Sequence, residues 1–222
     1  ASPFKHDAFI DQESPEPAYA RRARELCDKA GAMLIVDEVR AGFRLARGSS
    51  WSALGVQPDL SAWGKCFANG HPISALLGSD SCREGAGSIY ATGSFWLSAV
   101  PMAAAIETLR IIRESDYLEQ SERLGTRLRQ GLGAAAQKHG FTLRQSGPVQ
   151  MPQIMFADDA DFSVGYAWTQ EMLTRGFYLH PWHNMFLCAA MTEGDIEDTV
   201  AAAEDAFAAL AGKLDEIPPH PL

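Results

Sequence analysis

Two residues of this chain have the type and the setting for covalent amine chemistry. Lys65 stands in "AWGKCFANG", between a tryptophan–glycine pair and a run of small residues, and Asp37 closes the apolar run "MLIV" that starts at Met33. A lysine that is partly desolvated can add to a carbonyl compound, because only the neutral amine attacks. A buried carboxylate can hold a protonated pyridine nitrogen, a pairing that lets an aromatic ring accept electrons. The alternative for Asp37 and its neighbour Glu38 is an apolar strand finished by solubilising acids.

Other signatures fail on the residues themselves. "GVQPDLSAWGKC" has neither the spacing of a phosphate-binding loop nor the hydroxyl residue after its lysine, and "GAGSIY" lacks the third glycine of a dinucleotide fingerprint. No G-x-S-x-G elbow occurs. His180 and His183 are separated by Pro181, which breaks the helical face that paired ligands need, so a loop is expected there and no metal. The four cysteines (Cys27, Cys66, Cys82, Cys188) form no C-x-x-C pair and are expected as free thiols.

These residues must be positioned by a chain of 222 residues, long enough for one large or two modest domains. A net charge of −9 argues against a nucleic-acid or anionic-membrane surface, both of which select clustered Lys and Arg. No apolar run approaches the length of a membrane helix, and a cytoplasmic protein acting on small molecules is expected.

"PAYARRARELCDKAG" has helical spacing and a glycine stop, and "AMLIV" follows directly as a strand buried on both faces, as in a parallel sheet. "DLSAWG" and "PISALLG" read as further strands of the same kind around a turn at Asn69 and Gly70. Ligands in such sheets collect beyond the carboxyl ends of the strands, where Asp37 and Lys65 fall. Helices are expected from Ser98 to about Glu114, from about Tyr117 to His139, over "SVGYAWTQEMLTRG" and from Thr192 onward, with short strands at "FYLHP" and "NMFLCAAM". The expectation is α/β: residues 1–115 as part of a mostly parallel large domain and residues 116–222 as a small α+β domain.

In one order along the chain, "LIVDEVRAGFR", "GVQPDLSAWGKCFANGHPISALLG", "ATGSFWLSAVPMAAAIETL", "MLTRGFYLHP" and "FLCAAMTEGDIEDTVAAAEDAF" resemble the class III pyridoxal-phosphate aminotransferases of fold type I, the group that includes glutamate-1-semialdehyde aminomutase. The resemblance implies pyridoxal 5′-phosphate as cofactor and an amino or oxo compound as substrate. It implies that Lys65 forms the Schiff base and shuttles the proton, that Asp37 partners the pyridine nitrogen, and that Val39 packs on a ring face. A hydroxyl of Ser94 or Thr92 would reach the phosphate of a neighbouring subunit, which implies a homodimer with composite sites.

Two departures from the family pattern bear on function. Arg40 stands where many members have glutamine; its fixed charge would bind a substrate carboxylate or depress the pKa of the Schiff base, or else bridge to Glu38 at the surface. "HPWHNMFLCAAM" holds no counterpart of the carboxylate-binding arginine that some members carry late in the small domain. The segments matched are those of the family's C-terminal half, so the expectation is a fragment completed by further residues or another chain, or else a truncated product with impaired cofactor binding. The alternatives are a non-catalytic scaffold with the same fold, or another fold-type I activity such as racemisation.

Overall fold

The computed structural model describes residues 1–219. The chain divides into two compact units, Ala1–Lys5 with Ser14–Leu118, and His6–Glu13 with Glu119–Leu222.

In the first unit, α1 (Pro17–Ala30) starts on a proline, whose fixed φ suits a first turn, and stops at Gly31 in the left-handed conformation. Its Ala20 packs with Leu34, Val36, Trp51 and Val56. β1 (Ile35–Asp37) pairs in parallel with β2 (Leu60–Trp63), Asp37 lying opposite Ala62. Asp59 Oδ2 accepts from Leu34 N at 2.7 Å and from Arg24 Nη1 at 2.6 Å, which fixes the entry of both strands.

Two expectations for this sheet need correction. β3 (Ala75–Gly78) runs antiparallel to β2, because the short link from Gly64 allows a return but no crossover helix. β1 is buried on one face only: Leu34 and Val36 are covered, while Ile35 and Asp37 are exposed. α2 (Arg83–Ser88) and α3 (Ala99–Glu114) follow. A second core joins Phe43, Trp63 and Ile112, with Leu109 and Tyr117 packed against it.

The second unit is built on α4 (Tyr117–Lys138, from Glu119), the antiparallel pair β4 (Leu143–Ser146) and β5 (Gln153–Phe156), α5 (Ser163–Thr174) and α6 (Glu193–Leu210). Trp168 stacks on Phe207 at 5.3 Å, both fully buried, and Leu124, Leu132 and Ile154 complete the centre. Thr192 and Asp195 cap α6 reciprocally, each side chain meeting the other's backbone N–H. Residues 177–181 and 184–191, expected as strands, are irregular. Met185 N and Leu187 N donate to Pro152 O and Gln150 O, but Pro181 has no N–H to extend a ladder. The arm of residues 6–13 is tied in by Gln12, whose N donates to Ser146 Oγ and whose Nε2 donates to Met151 O.

Candidate active site

The first unit places Asp37 and Lys65 at the carboxyl ends of adjacent parallel strands. Asp37 is the last residue of β1, and Lys65 lies three residues beyond Ala62, its partner across the ladder. Gly64 extends the chain past β2, and Lys65 then adopts φ 50° at the start of a single 3-10 turn closed by Phe67 N donating to Gly64 O at 3.1 Å. A lysine pays steric energy in that region, so its surroundings must hold it there, and such strain collects at functional positions.

The Lys65 amine and one carboxylate oxygen of Asp37 have no hydrogen-bond partner among the described residues. Lys65 is exposed and makes no side-chain hydrogen bond or ion pair among the described residues. Asp37 Oδ1 accepts from Val39 N at 2.9 Å, and Oδ2 takes no donor among the described residues. Ala1 lies along β1, its N donating to Ile35 O at 2.6 Å and its C=O accepting from Asp37 N at 2.9 Å. Val39 rests on the approach to the lysine: its methyl carbons lie 3.7 and 4.0 Å from where a Cβ on Gly64 would stand.

Arg40 follows in the same loop, partly buried, and its C=O accepts from Arg44 Nη1 at 2.6 Å. Cys66, next to the lysine, donates its thiol to Gly42 O at 3.0 Å, and burial pushes that thiol up from its ordinary range. Thus Asp37, Val39, Arg40 and Lys65 come from one group of strand ends and the loop after them. Thr92 and Ser94 lie apart in sequence and element, in the exposed turn before α3, with no hydrogen bond to that group. Around them Ile89, Tyr90, Phe95, Trp96 and Leu97 are all exposed.

His180 and His183 fall in the irregular loop of the second unit. His180 Nδ1 accepts from the N–H of Trp182 and of His183, so that nitrogen closes a turn.

Glu38 is the residue whose part the sequence reading missed, since an acid beside Asp37 looked solubilising. It is 1% exposed, with Ser49 and Ser50 gathered on its carboxylate. The signal was present: Leu34, Val36 and Glu38 alternate on the covered side of β1.

Comparison with known families matches residues 12–197 to the class-III aminotransferases. The chain belongs to that family. Among class-III relatives, the aminopentol aminotransferase of Sphingopyxis macrogoltabida is 58% identical over 222 residues, covering 100% of this chain and 53% of the relative. The glutamate-1-semialdehyde 2,1-aminomutase of Natranaerobius thermophilus is 34% identical over 214 residues, covering 89% of this chain and 49% of the relative. The chain therefore spans about half the length of the curated relatives it matches.

Solved structures agree. The PLP internal aldimine form of the Sphingopyxis sp. MTA144 FumI protein superposes with a TM-score of 0.97 at 58% identity, over 100% of this chain and 53% of that one. An omega-transaminase from Sphaerobacter thermophilus gives 0.78 at 25% identity, over 89% and 49%. The class-III resemblance read from the sequence is borne out, and with it the α/β fold of a fold-type I enzyme.

Proposed function

We propose that this chain is the cofactor-attaching part of a class-III aminotransferase or aminomutase that uses pyridoxal 5′-phosphate. The observation that carries the reading is Lys65 held at φ 50° beyond β2, its amine unpaired among the described residues, with Asp37 at the adjacent strand end. The residues present fit the cofactor: one open amine, one carboxylate with an open oxygen, and an apolar side chain in the loop between them.

When bound, pyridoxal phosphate supplies a carbonyl that an amine can condense with and a ring that draws electrons from the carbon bearing the substrate amine. Lys65 Nζ would provide the attaching amine and, once displaced by the substrate amine, would take the proton from that carbon as general base and deliver it to a second carbon as general acid. Asp37 Oδ2 would accept a hydrogen bond from the protonated pyridine nitrogen and so favour the electron-poor form of the ring. Val39 would offer its methyl groups to the ring and help keep water from it. Arg40 offers a guanidinium to a substrate carboxylate.

Thr92 or Ser94 donates a hydroxyl to the phosphate in the neighbouring subunit's site, so the active enzyme is a homodimer. Exposure of five large apolar residues around these hydroxyls supports a protein partner over that turn. The substrate is a small amino or oxo compound. Identity of 58% with a relative named for aminopentol favours an amine of that kind. Four free thiols suit a reducing compartment, and we place the enzyme in the cytoplasm.

The test is attachment. The complete protein that carries this chain, mixed with pyridoxal phosphate, should give a visible absorbance band and a borohydride-stable adduct mapped to Lys65, and Lys65→Ala should give neither. Absence of both in the unmodified protein would sink the reading in favour of a non-catalytic scaffold.

A further inference from the structure

We propose that Glu38 is a positioning residue: its buried carboxylate clamps the loop that carries Val39 and Arg40 beside Lys65. The proposal rests on the functional reading given above. Glu38 Oε1 accepts from Ser49 Oγ at 2.7 Å, from Ser50 N at 2.7 Å and from Ser50 Oγ at 2.9 Å. Its N–H donates to Ala62 O at 2.9 Å, continuing the β1–β2 pairing one step beyond Asp37, and its C=O accepts from Gly42 N at 2.7 Å. One residue therefore joins the end of β1, the flank of β2, the first turn of the loop and the loop's far end.

The opposite side of the loop is tied separately. Arg47 donates to Ile112 O at 3.0 Å and to Ser115 O at 2.8 Å, and Tyr117 donates its hydroxyl to Phe43 O. Glu38 holds the end of the loop that leaves β1 directly after Asp37. Withdrawing a carboxylate from water to this degree is costly, and a hydrocarbon side chain would fill the same volume without that cost. What the carboxylate adds is direction: three donors converging on one oxygen permit few loop geometries. Val39, the next residue, lies on Gly64, and Gly64 leads directly to Lys65. A loop released from Glu38 would thus loosen both the apolar contact and the approach to the lysine, without any contact between Glu38 and substrate.

The experiment uses the complete protein that carries this chain and three variants: Glu38→Ala, Glu38→Gln, and Ser49→Ala with Ser50→Ala. Two quantities are read well below each variant's melting temperature: amide hydrogen exchange of residues 39–50 without added cofactor, and visible circular dichroism after loading with pyridoxal phosphate. Glu38→Ala and the double serine variant should exchange these amides about tenfold faster or more. They should also lose most of the visible dichroism while the lysine adduct stays reducible by borohydride.

Glu38→Gln keeps a carbonyl oxygen for the same donors and should stay near the parent in both. Unchanged exchange and unchanged dichroism in the alanine variants overturn the proposal, whatever happens to melting temperature. Should Glu38→Ala fail to fold, the double serine variant decides by the same two readings. A parent protein with no lysine adduct overturns the functional reading itself and the positioning role with it.

Discussion

The ring of Trp63 occupies the space that a side chain on Gly42 would need. A Cβ on Gly42 would stand 2.5 Å from Trp63 Cζ3 and 2.7 Å from Glu38 O. The tryptophan is 4% exposed, so it has little room to retreat, and it lies two residues before Lys65. The glycine in "RAGFR" is thus explained by packing, since its loop closes over an aromatic ring.

Gly42→Ala should therefore destabilise the protein by about 1–3 kcal/mol, the usual range for forcing a group into a filled core. Thermal or urea unfolding of the complete protein measures it. A cost under about 0.5 kcal/mol would mean that Trp63 and the loop shift freely.

Asp59 gives the fold an acid limit. The Leu34 N–H, then the Arg24 guanidinium, hold its carboxyl below the usual carboxylate range. The folded state prefers the charged form, so the stabilisation is complete above about pH 4 and is lost as pH falls through the depressed value. Asp59→Asn should unfold earlier than the parent at pH 7, by about 1–3 kcal/mol. The difference should shrink toward zero in acid, as thermal midpoints across pH would show.

Tyr117 sets an alkaline counterpart. Burial pushes its hydroxyl up to about 12, where it donates to Phe43 O. Here the folded state prefers the neutral form, so its contribution is intact below about pH 10 and fades as pH rises above that. Tyr117→Phe should cost about 1 kcal/mol at neutral pH. Its ultraviolet titration should lack one tyrosinate signal that the parent shows near pH 12.

Asp37 should separate attachment from turnover. If Oδ2 serves the pyridine nitrogen, Asp37→Asn keeps the borohydride-stable adduct on Lys65 but slows amino transfer on the order of a hundredfold or more, as loss of one charge-stabilising group does. Equal turnover in variant and parent would remove Asp37 from that role.

The placement of Asp37 and Lys65 at adjacent strand ends was legible because both residues mark their own places. An apolar run that ends in an acid, and a lone lysine after a strand, need only strand-end placement to become neighbours. Less legible was anything that depends on what lies across the chain. Glu38 looked like a surface acid because its partners, Ser49 and Ser50, come eleven and twelve residues later. β3 shares the apolar texture of a parallel strand, and its direction follows from link length instead of side-chain type. "FYLHP" and "NMFLCAAM" have strand propensity, but the first ends on Pro181 and the second finds only two backbone bonds beside Gln150 and Pro152.

The arm of residues 6–13 belongs to the body formed by residues after Glu119, where Gln12 caps Ser146 and Met151 and Phe9 packs against Trp182 at 4.6 Å. On the ribosome this arm emerges long before its partners are translated. The later body must recruit a segment already made, so docking of the arm joins residues more than a hundred positions apart and is not a local closure. A chain cut at residue 119 would leave Ser146 Oγ, Met151 O and the Trp182 ring without the partners that arm supplies.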